Sequence, residues 1–79
     1  MSPTILREDG FRYFFFSREE PRMHVHVTSS DGEAKFWLEP ELELATNHGL
    51  PRKQLKKAER TIEDRHHEFV EAWKDHFGG

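Results

Sequence analysis

The chain contains no cysteine. That excludes a disulfide framework and any cysteine-ligated zinc or iron–sulfur site. Long apolar runs are missing as well. The opening residues, Met1-Ser2-Pro3-Thr4-Ile5-Leu6-Arg7-Glu8, carry neither a signal-peptide pattern nor a membrane span. A cytoplasmic protein without membrane attachment is the expectation by elimination. Internal repeats, low-complexity tracts and domain-separating linkers are absent, so residues 1–79 read as a single domain. There is no excess of basic charge either, since 12 Lys and Arg face 15 Asp and Glu for a net charge of −3. The chain as a whole does not read as nucleic-acid binding.

Hydrophobic residues are scarce at 34%, but aromatics reach 13%, so a small core must be built from a few large side chains. Phe11 to Phe16, bounded by Asp9-Gly10 and by Ser17 to Pro21, reads as a strand. Its consecutive aromatics at 13–16 place bulk on both faces. Thr4-Ile5-Leu6 is a candidate partner strand. Met23 to Thr28 alternates, with Met23, Val25 and Val27 on one face and His24, His26 and Thr28 on the other. Ser29-Ser30-Asp31-Gly32 signals a hairpin, with a turn of either two or four residues. Glu33 to Leu38 alternates again, Ala34, Phe36 and Leu38 opposing Glu33, Lys35 and Trp37. Either turn length brings His24 and His26 onto the face of Lys35 and Trp37. Glu41 to Leu44 is a candidate further strand.

Asn47-His48-Gly49 breaks the chain, and Pro51 suits the first turn of a helix. Leu55, Ala58, Ile62, Phe69, Val70, Trp73 and Phe77 form a helical stripe that Arg65 and His66 interrupt, and Gly78 stands where a helix ends. A helix over 51–77 would be about 40 Å long at 1.5 Å per residue. A domain of this size is only about 30 Å across. The helix should overhang the sheet, kink near Arg65-His66, or pack against a second copy. The expected fold is α+β, a small antiparallel sheet of three to five strands with one long C-terminal helix packed on one face.

One helix covers one sheet face. That leaves His24, His26, Lys35 and Trp37 on the other, joined by part of the aromatic strand. Tyr13 is taken as a member of this candidate binding face, although the strand offers either Phe11, Tyr13 and Phe15 or Phe14 and Phe16. Coverage by the N-terminal segment, a homodimer interface and a ligand pocket are three competing fates for such a face.

The two histidines, Gly10-Phe11, Phe14-Phe15-Phe16-Ser17, Glu20-Pro21 and His24-Val25-His26-Val27 are similar to a known pattern. So are Pro3 to Leu6, Glu33-Ala34-Lys35-Phe36-Trp37-Leu38, Pro40, Ala72-Trp73 and Phe77. On these residues the chain resembles the bacterial family catalogued as domain of unknown function 4160. Many relatives place a second proline or a methionine before the His-x-His; here Arg22-Met23 stands there. The resemblance implies a small stand-alone bacterial protein with no assigned activity. Relatives look like partners of a second small domain, in pairs reminiscent of toxin–antitoxin modules.

Three chemistries can be drawn from the residues. His24 and His26, two apart on a strand, point the same way and could ligate one metal, but no cysteine supplies a further ligand, and Glu33, Asp31 or another chain's histidine would have to. No metal or cofactor is therefore expected. His24, His26 and Lys35 are the candidates for metal-independent nuclease chemistry, with Trp37 and Tyr13 available to stack a base. Against this stands a pair of polar residues on an outer sheet face. Arg52, Lys53, Lys56, Lys57 and Arg60 form a candidate anion or partner patch. Several are like-charge i, i+4 pairs beside a helix N-terminus, so helix stability does not account for them. A solvated face with Arg60 paired to Asp64 is the plainer reading.

The favoured expectation is an interaction module that self-associates or pairs with another small protein. A toxin-like nuclease or nucleic-acid-binding protein is the alternative.

Overall fold

The computed structural model describes residues 4–15 and 22–78. Five strands, β1 (Thr4–Glu8), β2 (Phe11–Phe14), β3 (His24–Thr28), β4 (Glu33–Trp37) and β5 (Glu43–His48), precede two helices, α1 (Arg52–Asp64) and α2 (His66–Phe77). The strands form one antiparallel meander in the order β1-β2-β3-β4-β5. The expected α+β architecture is what the chain adopts.

Local chemistry sets the turns. Asp9 and Gly10 both have positive φ, 55° and 84°, the conformation that a two-residue hairpin between right-twisted strands requires. The β3–β4 turn is the longer of the two expected forms. Thr28 pairs with Glu33, which leaves 29–32 as the loop, closed by a 3.0 Å bond from the Ser29 N–H to the Gly32 carbonyl. A Cβ on Gly32 would stand 2.3 Å from the His48 carbonyl oxygen, so this turn lies backbone to backbone against the end of β5.

The last strand differs from the expectation of 41–44, running instead from Glu43 to His48. Asn47 and His48 do not break it because they pair with Ala34 and Glu33. The break falls at Gly49, with φ of 96°, where the Asn47 side chain bonds both the Leu50 N–H and the Leu50 carbonyl at 3.0 Å. Phe16, assigned to the aromatic strand by sequence, lies outside the described residues.

The single long helix is corrected to two. Arg65, at φ −117° and ψ 25°, separates α1 from α2, so the expected kink near Arg65-His66 forms. Pro51 is the residue just ahead of α1, its carbonyl accepting from the Leu55 N–H. At the break, the Arg65 guanidinium reaches Glu8 at 3.3 Å and Glu68 at 3.6 Å, and His66 Nε2 donates to the Leu38 carbonyl at 2.7 Å. With this break the helical segment fits a molecule of 33 × 26 × 20 Å. Gly78, left-handed at φ 68°, ends α2 as expected.

Both helices lie on one sheet face. Phe11, Tyr13 and Phe15, Val25 and Val27, and Ala34, Phe36 and Leu38 are buried there against Ala58, Ile62, Phe69 and Trp73. The ring of Tyr13 meets Phe69 at 5.6 Å, and Phe15 meets Trp73 edge-on at 5.2 Å. No helix among the described residues is long and apolar enough to cross a membrane.

Candidate functional site

The register decides which side chains share the second sheet face. His24 pairs with Trp37, His26 with both Phe14 and Lys35, and Thr28 with both Arg12 and Glu33. His24, His26, Lys35 and Trp37 are therefore brought together as expected. Tyr13 is not among them, and its assignment to this face is corrected. It pairs with Val27, a core position, and is fully buried on the helix side. Phe14 takes the outer place instead. On this face Arg12, Thr28, Glu33, Lys35 and Trp37 remain partly exposed, whereas Phe14, His24 and His26 are buried.

Along the outer face runs a row of rings with cations laid over them. Phe14 stacks on His26 at 5.5 Å and 24°. His26 meets His24 at 5.1 Å, and His24 meets Trp37 edge-on at 5.5 Å. The Arg12 guanidinium sits 4.4 Å from the Phe14 ring centre. Trp37 takes two cations, Arg22 at 4.2 Å and Lys35 Nζ at 4.4 Å. Quadrupole attraction holds each of them against a ring face. Arg22 is fixed further by its Nε–H donating to the Glu39 carbonyl at 3.1 Å and by Glu43 at 3.6 Å. Arg12 is fixed by Nε–H donation to Thr4 Oγ1 at 2.8 Å.

The two histidines differ in kind. His24 is fully buried, its Nδ1–H donating to the Arg22 carbonyl at 2.7 Å, and Trp73 of α2 closes over it at 5.2 Å. It acts as a wedge between the sheet end and α2, with no path to a substrate in solvent. His26 keeps 7% exposure, and its Nδ1 lies 3.8 Å from Glu33 Oε2. Among the described residues, no group of three His, Asp or Glu stands together as a metal site.

The five cations of the basic patch all lie exposed on α1. Lys57 contacts Asp9 at 4.0 Å, whereas among the described residues no ion pair joins Arg60 to Asp64. Lys53 and Lys57 border an open cleft of about 370 Å³ between α1 and the turns at Asp9-Gly10 and Ser29 to Asp31. Gln54 spans it, accepting from Ser29 Oγ at 3.1 Å and donating to Asp31 Oδ2.

Sequence reasoning missed Arg22, Arg12 and Trp73 as members of the outer-face structure, and it gave His66 no role beyond interrupting the helical stripe. Arg22 stands just ahead of β3, and its place over Trp37 depends on where the chain enters the sheet. His66 is a tether from α2 to the end of β4.

Tyr13, the one tyrosine of the chain, has its pKa raised. Burial in the core disfavours the phenolate first of all, with Glu8 and Asp9 adding in the same direction and Thr61 and Arg65 opposing. Its role is structural.

These features define a small α+β domain with one sheet face sealed by helices and the other carrying a largely buried aromatic row flanked by cations. Residues 10–74 match the family described as Domain of unknown function (DUF4160), and the chain belongs to that family. No curated protein and no solved structure matches it.

Proposed function

We propose that the chain is a non-enzymatic interaction module that docks a protein partner, another small protein or a second copy, on its outer sheet face. The observation that carries this reading is the cluster of Trp37 with the cations Arg22 and Lys35, all three at least partly exposed to solvent. Trp and Arg concentrate binding energy at interfaces because each offers a large, weakly hydrated surface with directed polar groups. Cations already held against the rings enter a complex with little further ordering cost. The pairing with a second small domain that the family resemblance implies fits such a surface.

A toxin-like nuclease or nucleic-acid-binding protein is the second reading. It has one feature in its favour, His26 beside Glu33 and across the strand from Lys35. A carboxylate that orients an imidazole next to a lysine is a workable base and phosphate-binding set. The seal over His24 weighs against it.

Photo-crosslinking in expressing cells separates the two, with the photoreactive residue at Lys35 and a control at Glu63 on exposed α1. A discrete protein adduct at 35 that Trp37→Ala abolishes is the expected result. An RNA adduct, with activity lost in His26→Gln and Lys35→Gln, transfers the assignment to the nuclease. Adducts no stronger than the control remove both.

A further inference from the structure

We propose that two copies of the chain pair antiparallel through the open edge of β5, held by the acidic segment before that strand and the cations after it. This surface meets the outer sheet face at Glu43 and His48, but the proposal does not rest on the reading of that face.

β5 is the last strand of the sheet, and no described strand lies on its far side. Five of its six residues are exposed. They include Leu44, at 42% exposure the large hydrophobic side chain left in solvent among the described residues. An open edge is a template for another strand unless it is blunted. The irregularity opposite Lys35 and Phe36 makes β5 a weak template by hydrogen bonding alone. Recognition must then come from what flanks it.

The flanks are of opposite sign. Glu39 and Glu41 precede the strand and Glu43 begins it, whereas Arg52 and Lys53 follow four and five residues after its end at His48. Antiparallel pairing about a two-fold axis sets the start of one strand beside the end of the other. The acidic end of each copy then meets the basic end of its partner, twice over. The faces agree as well. Glu43 and His48 pair with Trp37 and Glu33 on the outer face, and Leu44 and Asn47 pair with Phe36 and Ala34 on the helix face. A register with Glu43 opposite His48 and Leu44 opposite Asn47 matches every one of these positions to its own side of the sheet.

The arrangement also explains charges that the monomer does not. α1 has no side-chain cap and no acidic residue in its first turn. Arg52 and Lys53 therefore stand at the positive end of the helix dipole with no acidic residue in their own turn. Carboxylates from a second copy supply it. A six-residue edge buries less than a standard interface, so the dimer should be concentration-dependent.

The test is light scattering over a concentration series on the wild-type chain and two variants, with circular dichroism to confirm that each is folded. Glu39→Lys/Glu41→Lys, which spares the pair of Glu43 with Arg22, makes both flanks basic, and Arg52→Glu/Lys53→Glu makes both acidic. Each variant alone should dissociate at least about tenfold more readily than wild type, and an equimolar mixture of the two should regain the dimer. Trp37→Ala should dimerise normally. A wild-type chain that stays monomeric at every concentration overturns the proposal. So does a mixture that stays monomeric, a variant that dimerises like wild type, or a dimer lost in Trp37→Ala. Photo-crosslinking at Lys35 reads the outer face independently, so failure of one proposal leaves the other standing or falling by its own result.

Discussion

The Arg22 guanidinium carbon lies 4.2 Å from the centre of the Trp37 ring, where the chain enters and leaves the β3–β4 hairpin. Their contact closes the end of the hairpin beside His24, whose own Nδ1 bonds the Arg22 carbonyl. The outer face is thus organised from one corner, where the chain enters β3.

Arg22→Ala should therefore lower stability modestly, by about 0.5–1 kcal/mol, the usual worth of an exposed cation–π pair. Trp37→Ala should cost more, since it removes a half-buried ring that touches His24 as well as both cations. Urea denaturation of the two variants checks the order, and an equal or reversed ranking contradicts the contact geometry.

His24→Ala should destabilise by about 2–4 kcal/mol, the range for truncating a large, fully buried side chain. His26→Ala should cost less, because its ring, stacked on Phe14, keeps some solvent contact. If His24 were chiefly a catalytic group, its removal would leave the unfolding midpoint near that of wild type.

The division between the two histidines shows how far the residues alone could be read. Strict alternation in 23–28 and 33–38 is enough to place His24, His26, Lys35 and Trp37 on one face, because a strand has a period of two and the hairpin turn only slides the register. Tyr13 could not be placed that way. Aromatics at 13–16 satisfy either face, and the choice is made by pairing with Val27, a long-range fact. Burial of His24 is equally non-local, since it depends on where α2 carries Trp73 after the break at Arg65. The end of β5 was misread because Asn47 and Gly49 are both turn residues, and the strand needs only the second to stop.

Tyr13 offers a pH test with a defined sign. Its folded-state pKa is raised above the ordinary tyrosine value, mainly by burial, so the native state disfavours the phenolate. Stability from this source is fully present below about pH 10, the unfolded value, and is lost as the pH rises above it. Phenolate absorbance should thus lag behind that of a free tyrosine and appear together with loss of the circular dichroism signal. Tyr13→Phe should remove the alkaline loss. Its hydroxyl has no hydrogen-bond acceptor or donor in bonding geometry among the described residues, so at neutral pH the substitution should change stability by less than about 1 kcal/mol. Normal, reversible titration in the folded protein would contradict the burial.

His66→Ala tests the tether at the helix break. The bond from His66 Nε2 to the Leu38 carbonyl joins α2 to the end of β4, and its loss should cost about 1 kcal/mol with a further penalty for the carbonyl left behind. The effect should be local as well as global. Amides of α2 should exchange faster than those of β3 and β4, because opening of α2 no longer requires breaking a bond to the sheet. His67→Ala, at an exposed neighbouring position, should change neither stability nor exchange. Equal effects from the two substitutions would mean that the break is held by Arg65 with Glu8 and Glu68 alone.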